Sequence, residues 1–99
     1  MEGIKEIMLF KDTNKLKAKI MKQKTFFKNL MIFSNEDQDI IIDCSINHFT
    51  KAIRCKLYIQ VDNSFCNDDY MYYNNDYELM ESKKIKLTDI EFNKLDFKY

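Results

Sequence analysis

Residues 25–46 read TFFKNLMIFSNEDQDIIIDCSI. Residues 25 to 33 and 39 to 46 are apolar and rich in Phe and Ile, and the turn formers Asn35-Glu36-Asp37-Gln38 lie between them. This pattern predicts a hairpin of two antiparallel strands with a loop of four or five residues. In the second strand the two-residue period puts Ile40 and Ile42 on one face and Ile41 on the other.

Downstream, residues 54 to 61 alternate, with Cys55, Leu57, Ile59 and Val61 on one face and Arg54, Lys56, Tyr58 and Gln60 on the other. This predicts another strand, after a helical turn in which Ile46, Phe49 and Ile53 share a face. Upstream, residues 15 to 20 alternate Lys with Leu, Ala and Ile, so Lys15, Lys17 and Lys19 line one face of an expected half-buried strand. The competing reading is a helix from Thr13 with Leu16, Ile20, Phe27 and Met31 on one side. Lys, Leu, Ala and Met favour that reading, but Gln23 and Lys24 interrupt its stripe.

Thr88 and Glu91 have the spacing of a capping box, and Ile90, Phe92 and Leu95 supply an apolar side to the helix expected after them. Tyr77 and Met80, three apart among polar neighbours, suggest a second helix over residues 76 to 84. Gly occurs once and Pro not at all, so turns must come from Asn and Asp, which tolerate positive φ better than other residues with a side chain. The candidates are Asp12-Thr13-Asn14, Asn35-Glu36-Asp37, Asp62-Asn63-Ser64, Asn67-Asp68-Asp69 and Asn74-Asn75. The expected fold is α+β: a small single domain over residues 1–99, with a mainly antiparallel sheet of about four to five strands and a C-terminal helix.

Composition fits one core. At 99 residues, 45% apolar and 14% aromatic, the chain has the material to bury about 65% of its unfolded surface. No apolar run exceeds four residues, against about 20 for a membrane span, and the N-terminus lacks the pattern of a secretory signal. Cys44, Cys55 and Cys66 are an odd number without close pairing, which fits reduced thiols and a cytoplasmic location rather than a disulfide framework. The abundance of Lys, Asn, Ile, Phe and Tyr is what A/T-rich codons produce, pointing to a low-GC bacterium, its phage or another A/T-rich genome.

Signals for catalysis are weak. His48 follows Cys44 by four residues, so on a helix the two would share a face and could pair as base and nucleophile or as metal ligands. The cysteines nevertheless lack zinc-site spacing, and ordinary buried thiols are the expectation. Asp39 and Asp43 could hold magnesium only in the sense that any acidic chain offers such pairs. Phosphate loops, serine elbows and zincin helices are absent. No enzyme activity, cofactor or metal is expected.

Charge is the more informative feature. The formal total is zero, but residues 1 to 33 are strongly basic, and residues 62 to 81 contain Asp62, Asp68, Asp69, Asp76, Glu78 and Glu81 with no Lys or Arg. The same block contains Phe65, Tyr70, Tyr72, Tyr73 and Tyr77, and tyrosine offers large contact area with a polar tip. The candidate partner-binding residues are therefore Asp62, Phe65, Asp68, Asp69, Tyr70, Tyr72, Tyr73, Asp76, Tyr77 and Glu78. The bland alternative is that the aromatics pack inward and the carboxylates solvate a loop.

The leading functional expectation is a non-enzymatic accessory factor, phage or mobile-element encoded, that binds a protein partner with a basic surface. It would act by blocking the nucleic-acid-binding surface of a host nuclease or defence complex. The alternative is a nucleic-acid-binding module in which Lys15, Lys17, Lys19, Lys22, Lys24 and Lys28 follow a backbone and Phe26 or Phe27 stacks on bases. A single arginine and a neutral total weigh against it. The chain is expected to be a monomer or a homodimer.

Overall fold

The computed structural model describes residues 4–61 and 77–99. Helices α1 (Ile4–Lys11) and α2 (Thr13–Gln23) precede strands β1 (Thr25–Phe27), β2 (Leu30–Ser34), β3 (Ile40–Asn47), β4 (Ala52–Gln60) and β5 (Tyr77–Lys86). A short helix α3 (Asp89–Asn93) and strand β6 (Asp96–Lys98) follow. The strands form one six-stranded sheet in the order β5-β4-β3-β2-β1-β6. Its pairings are antiparallel except β1 with β6. This is the expected α+β fold, mainly antiparallel and with a C-terminal helix, with six strands among the described residues against the four to five expected.

The central hairpin is as the sequence predicts. Met31 pairs with Cys44 and Ser34 with Ile41; Ile40 and Ile42 are buried, whereas Ile41 lies on the opposite face. Asn35 holds the loop. Its Oδ1 accepts the Ile40 backbone N–H at 3.0 Å, and its Nδ2 donates to Asp39.

The stretch from 15 to 20 is helical, not extended. Asp12 caps α2 by accepting the Lys15 N–H at 3.2 Å, and Lys24, in a left-handed conformation, ends it by donating to the Ile20 carbonyl. Helix wins because Leu16 and Ile20, four residues apart, both become fully buried beside Phe10 of α1, whereas a strand would have spent one of its three inward positions on Ala18. Gln23 and Lys24, the residues that argued against a helix, are where it ends. Phe27 and Met31 belong to strands.

Three further expectations are corrected. Residues 25 to 33 are not one strand: Lys28 and Asn29 both have positive φ (50° and 67°), forming a two-residue reversal between Phe27 and Leu30. Ile46 and Ile53 face each other across β3 and β4 rather than sharing a helical turn, because Asn47 Oδ1 accepts the N–H groups of Phe49 (2.8 Å) and Thr50 (3.1 Å) and closes a tight turn. The 76 to 84 region is strand. Leu57 pairs with Glu81 but Tyr58 with Leu79, so Met80 is an inserted residue that shifts the alternation and disguises it as helical spacing.

The Thr88–Glu91 capping box is formed in both directions. Its helix is a single turn, after which Leu95 turns into the core and β6 joins the sheet edge. Phe10, Leu16, Ile20, Phe26, Ile42 and Ile53 form the centre of the core. The two long helices therefore cover one face of the sheet.

Candidate functional site

The sheet's other face has no helix over it among the described residues, and its side chains follow from register. Across β2, β3, β4 and β5 one row runs Leu30, Ser45, Arg54, Lys84, the next Ile32, Asp43, Lys56, Ser82, and a third Ser34, Ile41, Tyr58, Leu79. Phe27 stands opposite Leu30. Phe27 is 65% exposed, Ile32 57% and Leu79 48%, on a face that would ordinarily be polar. Asp43 sits within this apolar setting. Partial burial raises its carboxyl above the ordinary range, and Lys56 opposite offsets that in part.

At the β3–β4 end lies a concavity of about 500 Å³ lined by Asn29, Ser45, His48, Phe49, Arg54 and Lys84, among others. His48 fixes its floor: Nε2 lies 2.7 Å from Asn29 Oδ1, and the ring packs against Phe97 and Phe92 with centroids 4.5 and 5.7 Å away. The tight turn pushes Phe49 outward, where it is 98% exposed. Arg54 and Lys84 are cross-strand neighbours. The ion pairs among the described residues, Lys17–Glu91 and Lys51–Asp89, involve neither of them. Chemically, the site offers two adjacent cations, amide and hydroxyl groups, and one bare aromatic ring.

Of the residues singled out from the sequence, Tyr77 and Glu78 open β5, and the Tyr77 hydroxyl donates to the Gln38 carbonyl at 2.7 Å. Asp62, Phe65, Asp68, Asp69, Tyr70, Tyr72, Tyr73 and Asp76 lie outside the described residues. Cys44 and His48 do not pair, as the expectation of an ordinary buried thiol at Cys44 had it: Cys44 points into the core from β3, while His48 is in the turn against Asn29. Asp39 is engaged by Asn35 and Asp43 faces Lys56, so these carboxylates do not converge on a shared site. Lys15, Lys19 and Lys22 are exposed on α2, across the sheet from Phe27.

Apart from Phe27, which the sequence offered only for base stacking, the residues that sequence reasoning missed as a site are those of the open face, Leu30, Ile32, Arg54 and Lys84 among them. The signal available was that β2 is apolar at every position but its last, Leu30-Met31-Ile32-Phe33, so one strand face had to present apolar groups outward. Among the described residues no group of three or more His, Cys, Asp or Glu is placed to hold a metal ion, and no helix is long and apolar enough to cross a membrane. Comparison of the chain with protein-family models, curated proteins and solved structures returned no match.

Proposed function

We propose that this protein is a non-enzymatic binding factor that docks a partner protein on the open face of its sheet. The observation behind this reading is that Leu30 and Ile32 point outward from β2 with Phe27 beside them, where alternation would place polar groups. Contiguous exposed apolar surface on a small domain favours a covering partner. Aliphatic groups at the centre favour protein over nucleic acid, whose bases stack on aromatic rings. The partner presents an apolar strip with carboxylates on the side that meets Arg54 and Lys84. At the far end of β4 and β5, Tyr77 and Glu78 suit a basic rim. Blocking a nucleic-acid-binding surface is the finer version of this reading and rests on the charge of residues 62 to 81.

The test is the affinity of a captured and identified partner for wild-type chain and for Ile32→Glu, with circular dichroism to verify folding. A loss of at least about tenfold is expected, the effect of a hot spot worth roughly 2 kcal/mol. Unchanged affinity for folded Ile32→Glu and Leu30→Lys chains would remove the open face from consideration. One observation favours a second reading: the bare Phe49 ring beside Arg54 and Lys84, which make no ion pair among the described residues, resembles a stacking platform with backbone cations. Salt-dependent binding of random single-stranded oligonucleotides, abolished by Arg54→Glu, would place that reading first.

A further inference from the structure

The two described cysteines lie on the two arms of one hairpin and are direct cross-strand partners: Cys44 on β3 stands opposite Cys55 on β4, both fully buried. The type of pair follows from the ladder. Gln60 N–H donates to Asp39 O at 2.8 Å, so residue 39 turns its backbone groups toward β4, whereas Ile46 N–H donates to Asn29 O at 3.1 Å, so residue 46 turns toward β2. Backbone direction alternates along a strand, so Cys44, in phase with Ile46, faces β2 and forms a non-hydrogen-bonded pair with Cys55. Such pairs bring Cα atoms to about 4.5 Å and their side chains closest together, inside the window of about 4.4–6.8 Å that a disulfide spans.

We propose that Cys44 and Cys55 are a latent redox pair, which a two-electron oxidant of the peroxide class closes into an intramolecular disulfide across β3 and β4. Register sets the two thiols side by side on the core face of the sheet. The hydrogen bond between them, with the Lys83 ammonium as a further contribution, holds Cys55 below the ordinary thiol range, while the same bond and burial push Cys44 up. Lys83 is the β5 neighbour of Cys55, and its ammonium also reaches the Phe10 carbonyl and Thr13, tethering the α1–α2 junction over this part of the sheet. The cation beside Cys55, on the strand that Cys44 does not adjoin, makes Cys55 the nucleophile and Cys44 the resolving thiol.

The Cys55 thiolate attacks hydrogen peroxide, forming an S–O bond as the O–O bond breaks and hydroxide leaves, which yields a sulfenic acid. Cys44 sulfur then attacks that sulfur, its proton and the departing hydroxyl leave as water, and the disulfide remains. In total two thiols and one peroxide become one disulfide and two waters. The bond closes a short loop around the β3–β4 turn and pins the register of the two central strands beneath the open face.

The experiment uses the full chain carrying Cys66→Ser, so that only this pair can react, exposed to hydrogen peroxide and then alkylated in denaturant. The expected result is loss of two hydrogens by intact mass, a peptide containing linked Cys44 and Cys55, reversal by dithiothreitol, and a higher thermal midpoint in the oxidised form. In a Cys44→Ser chain the sulfenic acid should persist at Cys55 and be trapped by dimedone. Two free, alkylatable thiols after peroxide, or overoxidation of Cys55 without a cross-link, would overturn the proposal. So would trapping at Cys44 in the corresponding Cys55→Ser chain with none at Cys55 in its counterpart.

Discussion

Arg54 on β4 and Lys84 on β5 stand directly opposite each other on the open face, two cations side by side, and neither takes part in an ion pair among the described residues. Like charges in this position destabilise a sheet, and unlike pairs contribute roughly 0.2–1 kcal/mol. Lys84→Glu should therefore raise the free energy of unfolding by about 0.5 kcal/mol in low salt, with the gain shrinking as salt is added. Urea titration at two ionic strengths measures it. The same substitution should weaken partner binding, and a variant that gains stability while losing affinity marks a site kept for binding. A Lys84→Glu chain no more stable than wild type would show that the ladder is not under this repulsion.

Asn35 is the one buried polar residue of the described chain, and it holds the β2–β3 loop through Ile40 and Asp39. Asn35→Ala leaves the Ile40 N–H without its acceptor, at a cost of about 1–3 kcal/mol. A fall in the urea midpoint at unchanged m-value is the expected readout.

Lys28 is the non-ideal half of the β1–β2 reversal, since a left-handed conformation costs a residue with a Cβ roughly 1–2 kcal/mol and Asn bears that cost best. Lys28→Asn should stabilise the chain by about 0.5 kcal/mol. Its backbone N–H still donates to Lys98 O, so β6 stays in place. A thermal midpoint at or below that of wild type would contradict the turn assignment.

Carboxylates on opposite faces should have opposite pH effects. A hydrogen bond from Lys17, helped by the Thr88 backbone, holds Glu91 below its ordinary range, and Lys51 does the same for Asp89. A depressed folded pKa stabilises fully above the unfolded value, and the effect is lost as pH falls through the folded one. Asp43 is raised instead, by burial, so its charge opposes folding at neutral pH and the penalty is relieved as pH falls into its titration range. Lys17→Met should thus flatten the acid limb of the stability profile. Asp43→Asn should increase stability at pH 7 and make the decline toward acid steeper. Thr88→Ala should cost about 1 kcal/mol at neutral pH through loss of the cap.

At the other end of the open face, Phe49→Ala should leave the fold intact, because the ring is almost wholly in solvent and surface substitutions usually change stability by less than about 0.5 kcal/mol. Partner dissociation should quicken if the ring is buried in the complex. Unchanged dissociation of the folded variant would confine the binding surface to the Phe27, Leu30 and Ile32 region.

The sequence by itself determined the features that depend on near neighbours along the chain. The Asn35 loop with its two flanking strands, the alternation from Arg54 onward, and the Thr88–Glu91 box each rest on contacts a few residues apart or on a two-residue period. Only the tertiary structure decided the rest. The Lys15–Ile20 alternation fits a strand locally, but Leu16 and Ile20 can cover the sheet together with Phe10 only as a helix. The β5 pattern is concealed because the inserted Met80 is defined against β4, not within β5. The candidate site was illegible for the same reason: Arg54 and Lys84 become neighbours through β4–β5 register, and Leu30 and Ile32 face outward only because Met31 and Phe33 are taken by the core. Periodicity shows which residues share a face, but which face is covered is set by how far-separated elements pack.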